Sequence, residues 1–221
     1  MINFAVTLLS GGLDSTTVTA YAKSRSDKLT AITFKYGHTH SKEVETSMVI
    51  SKMLSIDQKI IDLSLLREVA WYSALTNPES FFIPKASDNA ERGASIPITY
   101  VPLRNTIFIA LASAYLESQV LHAIEIQGVA ASNICAAVYL APNVLDYSGY
   151  PDCRPEFIER ISEAIRYGSK LGTEYGTTIE IATPIINMSK AEISKMAMHL
   201  GAPLEHTWSC YEASDLPCGL C

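Results

Sequence analysis

Short runs of β-branched and aromatic residues alternate with longer helical runs along the chain. This alternation predicts a parallel sheet with helices on both faces, a doubly wound α/β fold in which ligands bind at the carboxyl ends of the strands. The predicted strands are Phe4 to Leu9, Leu29 to Tyr36, Lys59 to Leu63, Ala123 to Gly128 and Thr177 to Ala182. The predicted helices are Ser15 to Ser24, Ser41 to Ser55, Asn105 to Glu117, Pro155 to Tyr167 and Lys190 to Leu200.

The helical runs differ in their apolar patterns. In the second, Val44, Met48, Val49 and Met53 recur at helical spacing, which predicts a face turned towards the core. The third run is apolar on nearly every side, and we expect it to be buried centrally. Residues 64–98 show weak periodicity, which predicts an excursion over the active site.

Composition and charge narrow the class of protein. The 221 residues are 48% hydrophobic, which suits a single domain over residues 1–221. The net charge is −6 without a block of like charges, so we expect small-molecule partners rather than nucleic acid. The amino terminus lacks a signal-peptide pattern, and no apolar run reaches the length of a membrane span. We therefore expect a cytoplasmic protein without a membrane partner.

The sequence Ser-Gly-Gly-Leu-Asp-Ser at residues 10–15 follows a strand and precedes a helix, which is typical of an anion-binding loop. Adjacent glycines permit a tight turn, and the first amides of the helix point at the ligand. No lysine follows as in a P-loop, and the glycine spacing does not fit dinucleotide binding. A plain glycine turn is the alternative. The residues predicted to form this phosphate-binding segment are Leu8, Leu9, Ser10, Gly11, Gly12, Leu13, Asp14, Ser15 and Thr16.

A polar segment, residues 34–43, follows the second predicted strand. His38 and His40 could bind phosphate or ribose oxygens of a nucleotide there. The alternative is a simple strand-to-helix loop, with Ser41 as the helix cap.

Arg104 lies at the start of the apolar third helix. A guanidinium in such surroundings needs an anion, which is either a phosphate or carboxylate of a ligand or an internal aspartate. In either case Asn105 is expected to cap the helix.

The connection at residues 145–154 carries a second set of polar and aromatic groups. Asp146, Tyr147, Ser148 and Asp152 offer acceptors and stacking surfaces that suit a planar heterocycle with several N–H donors. The alternative is that Asp152, with Pro155, merely begins the next helix.

Three of the five cysteines lie in the last twelve residues, with the spacing C-x7-C-x2-C. In a reducing compartment this spacing favours zinc over a disulfide, with Cys210, Cys218 and Cys221 as ligands. A redox-active pair is the competing interpretation. A closed structural zinc site needs four ligands, and this motif supplies three.

The loop at residues 10–15 resembles the SGGxDS loop of the N-type ATP pyrophosphatases (the PP-loop superfamily). Together with the segments at residues 34–43, 100–105 and 146–154, Lys190 and the cysteine tail, it makes the whole chain resemble the 7-cyano-7-deazaguanine synthases, the QueC family of the queuosine pathway. The loop alone is shared with GMP, NAD and asparagine synthetases and tRNA thiolases. The segment DYSGYPDCR with the terminal cysteines is far more specific. The family differs in having a further cysteine step after Cys221.

The resemblance implies a Rossmann-like, adenine nucleotide alpha hydrolase-like domain whose residues 207–221 form part of a zinc knuckle. It implies an ATP-dependent ligase that converts 7-carboxy-7-deazaguanine and ammonia to 7-cyano-7-deazaguanine, with ATP, Mg²⁺ and structural Zn²⁺, in a possible homodimer. The implied catalytic residues are Asp14, Ser15, Arg104 and Lys190. The implied substrate-binding residues are Arg104, Asn105, Asp146, Tyr147, Ser148 and Asp152.

Two other classes of function fit parts of the sequence. One is another adenylating synthetase or a tRNA thiolase, although a thiolase needs a basic tRNA-binding surface that an acidic chain does not favour. The other is a zinc-knuckle interaction protein with a vestigial nucleotide loop, against which the intact loop residues argue.

Overall fold

A computed structural model of the protein describes residues 1–36, 41–81, 96–144 and 149–208. Within these ranges, five parallel strands form one sheet in the order β3-β2-β1-β4-β5. The central strand β1 thus has β2 on one side and β4 on the other, and the chain reverses direction across the sheet at this point. The strands are β1 (Ile2–Leu8), β2 (Lys28–Lys35), β3 (Asp57–Asp62), β4 (Ile134–Tyr139) and β5 (Ile179–Ala182).

Helices cover both faces of the sheet, because alternate strand residues point to opposite sides. On one face, Val6 and Ile32 pack in one cluster with Ile109 of α4. On the other, Ala31 packs with Ile50 of α2. The helices are α1 (Leu13–Lys23), α2 (Ser41–Met53), α3 (Leu66–Val69), α4 (Arg104–Leu121), α5 (Pro155–Gly168), α6 (Lys170–Glu174) and α7 (Lys190–His199). The predicted doubly wound α/β fold is confirmed.

The fourth predicted strand, Ala123 to Gly128, is wrong. Residues His122–Ile126 form a π-helical turn that continues α4, and the strand at this place in the sheet is β4. The apolar alternation of residues 123–126 arises because Ala123 and Ile124 pack on the core from the end of a helix. The other four strands and all five predicted helices are present, with ends shifted by up to four residues.

Most of the apolar stripe of α2 does not face the core, although Val44 is half-buried. Met48, Val49 and Met53 are 51%, 44% and 49% exposed. The buried face instead carries Ile50 together with small polar residues, and Leu54, directly after the helix, is buried with it. The buried polar residues of α2 are Thr46, Ser47 and Ser51. Hydrogen bonds explain this arrangement, since Gln58 of β3 donates to Ser47 Oγ at 2.9 Å and accepts from Ser51 Oγ at 2.8 Å.

By length and composition alone, the helical segment Arg104–Ile126 could cross a membrane, since it has 23 residues and a mean hydropathy of 1.4. The expectation that no apolar run reaches that length is therefore wrong. One such helix is weak evidence for a membrane span, because core helices pass the same test. Here Ile109, Leu116 and Val120 are buried in the main core.

The start of α7 matches its sequence signal. Ser189 Oγ accepts from the Glu192 amide at 3.3 Å, and the Glu192 carboxylate accepts from the Ser189 amide at 2.8 Å. This capping box fixes where Lys190, the first residue of α7, leaves the loop after β5.

The corrected orientation of α2 can be tested by two alanine substitutions. Ile50→Ala should lower the free energy of unfolding by about 2–5 kcal/mol, because it removes a fully buried side chain. Met48→Ala, on the exposed stripe, should change it by less than about 0.5 kcal/mol. Urea unfolding followed by circular dichroism measures both values. Equal losses in the two variants would contradict this orientation.

Candidate active site

A cavity of about 260 Å³ opens at the carboxyl ends of β1, β2 and β4, where the strand order reverses. This is the expected ligand position in a doubly wound sheet. Its polar lining comes from elements far apart in sequence: the loop after β1, the end of β2 and the start of α2, the start of α4, and the turn before α5. The polar lining residues with hydroxyl, amide or charged groups include Ser10, Ser15, Thr33, Tyr36, Glu43, Arg104, Asn105 and Asp152. The predicted residues Leu8 and Leu9 lie on the same wall.

The loop after β1 turns sharply at Gly11, whose φ is +92°. A Cβ atom there would lie 2.9 Å from the Glu43 carbonyl oxygen, so only glycine fits without a shift of the backbone. Gly12 is the N-cap of α1 and has no side chain to accept from the first helical amides. The amide end of α1 is therefore suited to an anion.

Two serine hydroxyls of the loop face the cavity and hold each other. The Ser10 and Ser15 Oγ atoms are 3.0 Å apart, and Ser15 Oγ also donates to the Gly12 carbonyl at 3.1 Å. Thr16, unlike Ser10 and Ser15, does not face the cavity. It is fully buried, and its amide donates to the Gly12 carbonyl at 3.0 Å.

Asp14 and Lys190 join the starts of α1 and α7. Lys190 Nζ lies 2.7 Å from Asp14 Oδ2, and the two side chains are 50% and 22% exposed. The second carboxylate oxygen of Asp14 is buried and accepts no hydrogen bond from the described part of the chain. The structure thus brings together two of the predicted catalytic residues, beside the loop rather than on the cavity wall.

Arg104 reaches the cavity from the first residue of α4. Its Nη1 donates to the Tyr36 hydroxyl at 3.1 Å, and its guanidinium lies 5.7 Å from the ring centre of Tyr150 and 6.0 Å from that of Phe108. Within the described ranges no carboxylate forms an ion pair with it. Among the described residues, Arg104 therefore has no aspartate as an ion-pair partner, and its guanidinium lies against aromatic rings instead.

Arg104 and Tyr36 remain in their ordinary protonation states at neutral pH. Burial acts to lower the pKa of Arg104, but Tyr36, Tyr150 and Asp152 outweigh it, so the pKa lies above its ordinary value. Burial raises the pKa of Tyr36, and the positive charge of Arg104 opposes this only in part. A fixed cation therefore lines a partly apolar cavity.

Asp152 caps α4 from another segment. Its Oδ2 accepts from the Asn105 amide at 3.0 Å, while Asn105 Nδ2 donates to the Asp152 carbonyl at 3.1 Å and to Cys153 Sγ at 3.3 Å. The expectation that Asn105 caps the helix is wrong, because Asn105 is the second helical residue and Asp152 supplies the cap. Asp152 is 4% exposed, and its Oδ1 has no hydrogen-bond partner among the described residues.

Several predicted residues lie outside the described residues: His38, His40, Asp146, Tyr147, Ser148, Cys210, Cys218 and Cys221. Residues 82–95 of the predicted excursion also lie outside them, whereas residues 64–81 and 96–98 are described and Leu75 lines the cavity. No group of three metal-binding side chains occurs within the described ranges, and the zinc prediction stays a prediction. Cys153 is buried in the cavity wall.

Sequence reasoning missed part of the aromatic wall. Phe34 of β2 stacks on Phe108 of α4 with 4.3 Å between ring centres, and Phe108 also meets Tyr36 edge-on at 5.3 Å. Tyr36 belongs to the polar segment singled out after the second strand. Phe108 carries no such signal, because in sequence it looks like any core position of an apolar helix.

A family model described as queuosine biosynthesis protein QueC matches residues 4–221. The chain belongs to the QueC family.

Relatives and a solved structure show the extent of the similarity. The 7-cyano-7-deazaguanine synthase of Nostoc punctiforme is 40% identical, over 98% of this chain and 89% of that protein. The enzyme of the same name from Thermoplasma volcanium is 42% identical, over 98% of this chain and 81% of that protein. The structure of NMN synthetase from Francisella tularensis is 17% identical with a TM-score of 0.47, over 97% of this chain and 69% of that one.

The raised pKa of Tyr36 predicts a loss of stability in alkali. Above the ordinary tyrosine pKa of 10.0, the unfolded chain loses this proton before the folded chain does, so stability falls as pH rises. Tyr36→Phe should make that fall shallower, as measured by urea unfolding from neutral pH to above about pH 10. Tyr167→Phe, at an exposed position on α5, serves as control. An unchanged slope in Tyr36→Phe would contradict the assignment.

Proposed function

We propose that this chain is an ATP-dependent ligase that converts 7-carboxy-7-deazaguanine and ammonia to 7-cyano-7-deazaguanine. The observation that carries the proposal is that one cavity joins an anion-binding loop to a fixed cation and a buried carboxylate. Ser10 and Ser15 stand at one side, and Arg104 and Asp152 at the other. Membership of the QueC family supports the reaction, since the curated relatives bear its name.

The chemistry requires two activations at the α-phosphate of ATP. The substrate carboxylate attacks first, giving an acyl adenylate and pyrophosphate. Ammonia then displaces AMP and leaves the amide. The amide oxygen attacks a second ATP, and loss of the second AMP with a proton leaves the nitrile. Each nitrile therefore consumes two ATP and releases two AMP and two pyrophosphate.

In this proposal the loop holds the departing pyrophosphate. Donors come from the Ser10 and Ser15 hydroxyls and from the amides at the start of α1, with Gly11, Gly12 and Leu13 supplying the backbone shape. These groups are positioned before any ligand arrives, since the two hydroxyls already bind each other, and preorganised donors stabilise charge that develops in the transition state. Thr16 supports the loop from behind.

Asp14 and Lys190 complete the phosphate end. Lys190 supplies a positive charge next to the loop, and its ion pair with Asp14 fixes the direction of the carboxylate. The buried Asp14 Oδ1 fits an oxygen ligand for Mg²⁺, a metal that prefers carboxylates and phosphates. Bound with ATP, Mg²⁺ would neutralise phosphate charge.

Arg104 and Asp152 form the substrate end. Arg104 suits the substrate carboxylate or the phosphate that replaces it, because its fork is charged and no described carboxylate occupies it. Asp152 Oδ1 suits an N–H donor of the heterocycle, since an acceptor this buried is costly without a partner. Asn105 holds Asp152 in place. Asp146, Tyr147 and Ser148 remain predicted substrate contacts.

The remaining parts of the proposal come from the sequence. Cys210, Cys218 and Cys221 would hold a structural Zn²⁺ away from the reacting atoms. The setting would be cytoplasmic, without a nucleic acid or membrane partner, and the chain could pair as a homodimer.

The reaction is tested by incubating the protein with ATP, Mg²⁺, ammonium and 7-carboxy-7-deazaguanine. Mass spectrometry should find the nitrile, with AMP released above a substrate-free control. Omission of ammonium serves as a second control, and should abolish the nitrile. Release of ADP in place of AMP, or no product beyond the control, would contradict the proposal.

Arg104→Lys tests the substrate end of the cavity. It keeps the charge but loses the planar fork, so we expect the KM for the carboxylated substrate to rise roughly 10- to 100-fold. The KM for ATP should change much less. Arg160→Lys, on the exposed face of α5, is the matched control and should leave both constants unchanged. A variant Arg104→Lys with an unaltered KM for the acid would remove Arg104 from substrate binding.

A further inference from the structure

Trp208 lies against the loop that is proposed to bind ATP. Its backbone amide donates to the Gly11 carbonyl at 2.9 Å. Its own carbonyl oxygen lies 3.7 Å from the position that a Cβ atom on Gly12 would take. Trp208 therefore contacts the backbone at both glycines of the turn, although it lies 197 positions from Gly11 and 196 from Gly12 in sequence.

The same residue contacts the helix on the other side of the loop. Lys42 Nζ, in the first turn of α2, lies 5.4 Å from the centre of the Trp208 ring. The first two turns of α2 also approach Gly11 directly, with the Glu43 carbonyl at 2.9 Å and the Ser47 amide at 3.1 Å from its Cβ position. Gly11 is thus enclosed between α2 and the backbone of Trp208.

The bond to the Gly11 carbonyl has a geometric consequence. The Gly11 carbonyl and the Gly12 N–H belong to one planar trans peptide unit, so they point in opposite directions. When Trp208 holds the carbonyl on its side, the Gly12 N–H is turned the other way, towards Ser10 Oγ at 3.5 Å on the cavity wall. Without this bond, rotation of the peptide unit would cost less, since glycine on either side permits it.

We propose that Trp208 is a positioning residue for nucleotide binding. Its amide fixes the orientation of the Gly11–Gly12 peptide unit and so aims the Gly12 N–H at the phosphates of ATP, while its ring anchors the residue on Lys42. The proposal rests on the proposed function only in that the loop binds ATP.

Two substitutions of Trp208 distinguish the contribution of its backbone amide to ATP binding from that of its ring. Trp208→Pro removes both the N–H and the indole, whereas Trp208→Ala keeps the N–H and removes only the indole. The preceding residue, Thr207, has φ −78° and ψ 149°, an extended conformation that accepts a following proline. The measurements are the KM for ATP, kcat, and the shift in melting temperature on addition of ATP and Mg²⁺ without the second substrate.

The expected result is a KM for ATP in Trp208→Pro that is roughly 2- to 10-fold above that of Trp208→Ala, the effect of one neutral hydrogen bond. The ATP-induced shift should decrease in the same order, and the KM for the carboxylated substrate should differ little between the two. Equal ATP constants in both variants would overturn the proposal. A residue that served stability alone would lower the melting temperature without changing the KM for ATP.

A second experiment avoids any change at Trp208. The chain has two tryptophans, and Trp71→Phe leaves Trp208 as the only tryptophan, which is excited selectively at wavelengths where tyrosine does not absorb. ATP with Mg²⁺ should then change its emission in a saturable way, even if Trp208→Pro fails to fold. An unchanged emission at ATP concentrations that shift the melting temperature would overturn the proposal.

The readouts separate this proposal from the proposed reaction. ATP binding without nitrile formation in the unmodified protein would refute the reaction and leave Trp208 to be judged by the ATP measurements. No ATP-induced shift in the unmodified protein would refute both.

Discussion

The tight turn at Gly11 is the constraint on which the rest of the site depends. Its positive φ and the 2.9 Å approach of the Glu43 carbonyl to its Cβ position bring the loop after β1 against α2. This turn places Ser10 on the cavity wall and begins α1 at Leu13, after an N-cap glycine that offers the helix amides no side-chain acceptor. An anion that enters the cavity therefore meets donors that are already in position, at little cost in reorganisation.

The opposite side of the cavity holds two charged groups that the described protein does not neutralise completely. Arg104 is a cation among aromatic rings, and one oxygen of Asp152 is buried without a donor from the described residues. Leaving such groups unsatisfied costs free energy, which a ligand with a carboxylate and N–H donors would recover. The helix cap that Asp152 gives α4 ties both groups to one rigid element, because Arg104 and Asn105 are its first residues.

Local signals predicted the parts of the fold that depend on nearby residues. The loop at residues 10–15 and the capping box at Ser189 are both read from fewer than seven positions. Prediction failed where packing between distant segments decided the outcome. The alternation at residues 123–128 belongs to a helix end on the core, and the buried face of α2 uses serines that bind Gln58 of the next strand. Tyr36, directly after β2, meets Arg104, 68 positions away, because α4 packs against the sheet.

The central claim is that this loop directs attack on the α-phosphate of ATP, twice for each product. It is tested most directly with substrate whose two carboxylate oxygens are both ¹⁸O. Each activation transfers one of these oxygens to a phosphate, first from the carboxylate and then from the amide. The account predicts that both AMP molecules released per nitrile carry one ¹⁸O atom each, and that pyrophosphate carries none. Label in inorganic phosphate, in ADP or in only one of the two AMP molecules would contradict it.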